Sequence, residues 1–140
     1  MSESAIKRAK GQAYFLRAMQ LFDLVRVYGG VPIVNKVIDA SDRDGATAYV
    51  RESVEKCIEQ VVKDLSDAAG MLPTRKEWGD SQYGRLTKEA ALAYKSRVLL
   101  TFASPLFNKD WDNPSNKRWA DALEATQEAK TFLDLSLIHI

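Results

Sequence analysis

Tyr14-Phe15-Leu16-Arg17-Ala18-Met19-Gln20-Leu21-Phe22-Asp23-Leu24-Val25-Arg26-Val27-Tyr28-Gly29-Gly30-Val31-Pro32 is an aromatic and aliphatic run stopped by two glycines and a proline. Phe15, Ala18, Phe22 and Val25 recur at helical spacing along one stripe, and Tyr14, Leu21 and Tyr28 broaden it. Glycine favours a helix end, and a proline shortly after it prevents the helix from resuming. The spacing predicts one long helix from about Glu3 to Tyr28, buried over much of its girth.

Three further helices follow from the same periodicity. The second is expected from Thr47, a candidate N-cap, to Met71, with Val50, Val54, Cys57, Ile58, Val61, Leu65, Ala68 and Leu72 inward. Arg51, Glu52, Glu55, Lys56, Glu59 and Lys63 form its wet face, and Gly70 with Pro73 stops it. The third opens at the capping residue Thr87, with Glu89 in its first turn, and runs to Ser104 before Pro105. It is apolar on nearly every side. The fourth, Lys117 to Asp134, places Trp119, Ala122, Leu123, Thr126 and Leu133 on one face and is expected to pack on the third as an antiparallel hairpin. The fold class is therefore all-α, with about four main helices in irregular antiparallel pairs joined by long loops. Two helices that need cover all round, and two amphipathic ones to supply it, leave apolar surface uncovered. Packing partners beyond these four helices are expected.

The 140 residues are 46% hydrophobic, and 20 basic residues against 19 acidic ones create no long-range field that would favour nucleic acid or an anionic membrane. The single cysteine, Cys57, sits among Val54, Ile58 and Val61, a setting for a small core residue rather than a nucleophile. No Cys/His pairing, serine elbow or glycine-rich phosphate loop is present, so neither an enzyme nor a cofactor is implied. Asp39, Asp42 and Asp44, and the later set Asp110, Asp112 and Asn113, lack the glycine and distal glutamate of a helix-loop-helix calcium site and suit turns and caps instead. Arg17, Arg26 and Arg97 lie on apolar helices and require acidic or carbonyl partners, Asp23 being a local one for Arg26.

Sugar recognition uses aromatic faces flanked by amides, carboxylates and guanidiniums. Two loop sets have that composition: Trp78 and Tyr83 with Asp80 and Gln82, and Trp111 with Asn108, Asp110, Asp112 and Asn113. For each tryptophan, packing over a helix end is the preferred role. In an up-down path the first and third loops share one end and the second lies at the other, so the two sets are not expected to form one site.

The first helix with its Gly-Gly-Val-Pro stop resembles the SusD/RagB family, surface lipoproteins of Bacteroidetes that capture glycans or peptides for an outer-membrane transporter. A second block carries the same resemblance: Gly84-Arg85-Leu86-Thr87-Lys88-Glu89-Ala90-Ala91-Leu92-Ala93, then Arg97-Val98-Leu99-Leu100, then Ala103-Ser104-Pro105-Leu106-Phe107-Asn108. The segment from Val54 to Pro73 resembles the family's connecting helix, so the likeness covers nearly all of residues 5–134. It implies helix pairs similar to tetratricopeptide repeats, although no strict repeat of about 34 residues is visible. It also implies an oligosaccharide or peptide ligand, a SusC-like TonB-dependent transporter as partner, and a surface-exposed outer-membrane location through an upstream lipidated cysteine. Met1 is then an internal residue. No family binding residue transfers by position, which leaves Trp78, Tyr83 and Trp111 as physical candidates. An intracellular helical-repeat module that binds protein partners is the alternative. Leu135-Ser136-Leu137-Ile138-His139-Ile140 matches the translation of a transposon-end sequencing adaptor, so 135–140 is expected to be a non-native tail that carries the one histidine.

Overall fold

The computed structural model describes residues 2–37, 41 and 49–133, and among these it is helical without strands. Helix α1, Glu3–Tyr28, is 26 residues long and begins at Ser2, whose hydroxyl accepts from the Ala5 amide. It ends at Gly29, which adopts φ 74° and donates its N–H to the Val25 carbonyl. Helix α2 is Val54–Met71, α3 the short Arg75–Trp78, α4 Lys88–Ala103 and α5 Lys117–Leu133, with a 3-10 turn at Asp80–Gln82. The four long helices match those expected from periodicity. The expected tail, 135–140, lies outside the described residues.

The start of α2 is a correction. Ser53 is its N-cap, accepting from the Lys56 amide, while Val50 stands exposed before the helix in non-helical chain. The expected cap Thr47 falls outside the described residues. Just ahead of Ser53 the Glu52 amide donates to the Val31 carbonyl at 3.3 Å, so the chain is engaged by the segment after α1 and is not free to extend the helix. The second loop also contains more structure than its composition suggested. Thr74 and Glu77 form a reciprocal capping box that starts α3, a Thr-x-x-Glu signal present in the sequence but not read there.

Consecutive long helices are antiparallel. Along α1 and α2, Gly11 lies beside Met71, Arg17 meets Asp64 and Val31 reaches Cys57. Pro73 at the end of α2 accepts from the Lys88 amide at the start of α4, and Lys95 and Phe102 of α4 meet Glu128 and Arg118 of α5. The expected hairpin of the last two helices is thus observed. Phe15, Ala18, Phe22 and Val25 of α1 join Cys57, Val61 and Leu65 of α2 and Leu92 and Val98 of α4 in one core. Tyr94 inserts its ring 5.7 Å from Phe15 and 6.0 Å from Phe22. Cys57 is fully buried, its thiol donating to the Val31 carbonyl.

Helix α1 is apolar on both sides. Opposite its core stripe, Ile6, Ala9, Ala13, Leu16, Leu24 and Val27 are all exposed, with Gln20 the polar residue among them. Val27 is 73% exposed. Most of the uncovered surface expected from the sequence is on this helix, and the other helix expected to need cover, α4, leaves Leu100 exposed.

Candidate functional site

The short helix α3 holds the Trp78 indole at the end of the molecule where α1 begins and α2 finishes. Its capping box fixes the approach: the Thr74 amide and hydroxyl both donate to Glu77 Oε2, at 2.7 and 2.8 Å. Those bonds hold the Glu77 carboxyl below the usual carboxylate range, with Lys88 adding to the effect. Trp78 is half-buried and its Nε1 donates to the Leu86 carbonyl at 2.9 Å, which locks the ring across the loop. The guanidinium carbons of Arg8 and Arg85 each stand 5.4 Å from the ring centroid.

Around that ring is a cavity of about 530 Å³ lined by Ala5, Arg8, Ala9, Gln12, Glu77, Trp78, Gln82 and Arg85. A second cavity, about 510 Å³, shares Arg8 and Glu77 with the first and adds Lys7 and Lys88. Arg8 bonds to the Ser4 carbonyl and hydroxyl, and Arg85 to the Gln82 side-chain carbonyl, all neutral acceptors. Tyr83, the other candidate in this loop, is 83% exposed and outside the cavity lining, with the Arg75 guanidinium 4.8 Å from its ring. Asp80 pairs with that same Arg75.

Trp111 lies at the opposite end. Arg118, at the start of α5, reaches Glu55 at the start of α2, which places the end of the third loop beside the start of α2 and away from the second loop. The 18 residues of α2 separate those ends by about 27 Å, rather than the length implied by a start at Thr47. Trp111 is 49% exposed, and its carbonyl accepts from Trp119 Nε1 at 2.7 Å. The polar residues near it form turns: Asn108 is buried and bonds to the Ala103 carbonyl and the Asp110 amide, and Asn116 donates to Asp110. The structure therefore keeps the two aromatic sets apart, as the up-down path requires. Sequence reasoning missed Arg8 and Gln12 because α1 delivers them from about seventy residues away.

Two of the three helix arginines have the structural partners expected of them, and the third, Arg97, stands in solvent and needs none. Arg17 forms a bidentate pair with the buried Asp64, at 2.7 and 2.6 Å, and Gln60 donates to the same carboxylate. Hydrogen bonding to Asp64 raises the Arg17 pKa further above its ordinary value, against the opposing effect of burial. Arg26 makes the expected local contact with Asp23 at 3.4 Å. Arg97 is exposed.

This frame has relatives. The pattern of the SusD-like family, described as starch-binding and associating with the outer membrane, matches residues 1–100. The chain belongs to the SusD-like family. It is 33% identical over 102 residues to SusD-like protein P2 of Formosa agariphila, covering 71% of this chain and 18% of that protein. A SusD-like protein of Bacteroides fragilis superposes with a TM-score of 0.76 at 32% identity, covering 94% of this chain and 22% of that one. A laminarin-binding SusD-like protein does so with a TM-score of 0.70 at 25% identity, covering 93% and 24%. The chain thus spans less than a quarter of the length of these relatives.

Proposed function

We propose that this chain is helical scaffold of a glycan-binding protein that captures an oligosaccharide at the outer membrane and passes it to a TonB-dependent transporter. Membership of a family described by starch binding and outer-membrane association carries this reading. The laminarin-binding neighbour supports a glycan as the ligand class. The mechanism is non-covalent: aromatic faces stack on the apolar side of a sugar ring while amides and guanidiniums bond its hydroxyls. The proposed membrane attachment, as in the family this chain resembles, runs through a lipidated cysteine upstream of this segment; no helix among the described residues is long and apolar enough to cross a membrane.

The test is affinity purification of the parent protein, from its native cells, after exposure to a mixed oligosaccharide library. Retention of glycan together with co-purification of a TonB-dependent barrel is the expected result. Recovery of cytoplasmic protein partners, with neither glycan nor barrel, would overturn it in favour of an intracellular adaptor.

A further inference from the structure

The cavity beside Trp78 and its neighbour share Arg8 and Glu77, and together their linings carry Lys7, Arg8, Arg85 and Lys88 against the single carboxylate of Glu77. None of these four cations has a carboxylate within salt-bridge distance among the described residues. Glu77 Oε2 is committed to Thr74, whose amide and hydroxyl both donate to it. A chain whose overall charge is near balance has therefore collected an excess of three positive charges around two neighbouring cavities, which form one basic concave face with an indole of fixed orientation in the first.

We infer that this concavity binds the acidic group of a charged sugar, a carboxylate or a sulfate, with Arg8 and Arg85 as its principal contacts. A guanidinium presents paired donors in a plane that matches both oxyanions, and charge-assisted bonds of this kind are shorter and stronger than bonds to neutral hydroxyls. Gln12 and Gln82 line the same cavity and offer amide donors and acceptors for ring hydroxyls. Each cavity has the volume of an ordinary small-molecule site. The inference rests on the glycan reading and narrows it from sugars in general to acidic ones.

The experiment uses the parent protein, immobilised at low density on a biosensor surface, with helicity checked by circular dichroism. The probes are a trigalacturonate, a sulfated galactan oligosaccharide, a neutral galactan oligosaccharide and polyphosphate. Binding of either acidic sugar above the neutral one is expected, weakened by about ten-fold or more in the pair R8Q/R85Q, on the strength of charge-assisted bonds. The pair K109Q/K117Q, at the opposite end, should leave it unchanged. The galacturonate and sulfate arms identify which oxyanion the site prefers. Equal binding of neutral and acidic sugars, equal loss in both variant pairs, or polyphosphate binding as tight as the acidic sugars would each overturn the inference. If those results come while the parent protein still retains neutral glycans, the acidic site fails and the glycan reading stands. If the parent retains no glycan of any charge, the broader reading falls as well.

Discussion

Asp64 has no exposed side-chain surface, while the guanidinium that neutralises it is 36% exposed. The asymmetry decides which half of the pair matters more. Replacing Arg17 with alanine leaves a buried carboxylate supported by the Gln60 amide alone, a loss of roughly 3 kcal/mol for breaking a buried pair from this side. Replacing Asp64 with leucine removes the buried charge and lets Arg17 turn into water, so Asp64→Leu should cost about 1 kcal/mol or less. Urea unfolding followed by circular dichroism measures both variants. Equal costs would show that the carboxylate does not depend on its partner as the burial implies. The sequence showed that an arginine on an apolar helix needs an acceptor, but not which one. Asp64 lies 47 residues away on another helix, and pairing at that distance is set by register between helices, which periodicity along one helix does not contain.

Register between α1 and α2 is fixed where the chain turns back from α1. A Cβ on Gly30 would stand 1.9 Å from the Glu52 carbonyl oxygen, a backbone atom with little room to move. Gly30→Ala must therefore push the Val31 segment off Glu52 and disturb the Ser53 cap that follows. Its expected cost exceeds that of Ser53→Ala, about 1 kcal/mol for loss of an N-cap bond. Thermal melts of the two variants check the order, and a harmless Gly30→Ala would mean that the close approach is not needed. At this scale the long helices were legible because both apolar periodicity and stop residues marked them. The start of α2 was not, since Val50 keeps helical spacing with Val54 even though the intervening chain is bound to Val31. The Trp78 concavity was half legible. Its loop residues share a short stretch, but the residues from α1 join only when the helices pack.

For the whole molecule, the outer face of α1 sets the solution behaviour. Ile6, Leu16, Leu24 and Val27 are exposed on the side of the helix away from the core, in a stripe that Gln20 interrupts only weakly. A run of seven outward positions with a single amide is unlike the wet face of α2, where Glu55, Lys56, Glu59 and Lys63 are exposed. Soluble monomers seldom leave contiguous apolar surface of this extent in water. The solved SusD-like relative carries more than four times the length of this chain, so its fold has further elements that could cover such a face. Residues 1–134 by themselves should consequently self-associate at micromolar concentration, as measured by size-exclusion chromatography with light scattering. The double substitution Leu16→Lys and Leu24→Lys adds charge to that face while leaving every core contact in place, and should shift the chain to a monomer without changing its helical circular dichroism. If the unmodified chain were monodisperse and unfolded cooperatively, the stripe would be tolerated in water and the need for covering partners would fall. If the lysine variant stayed associated, the contact would have to lie elsewhere, with Leu100, Leu106 and Leu123 the next exposed side chains to replace.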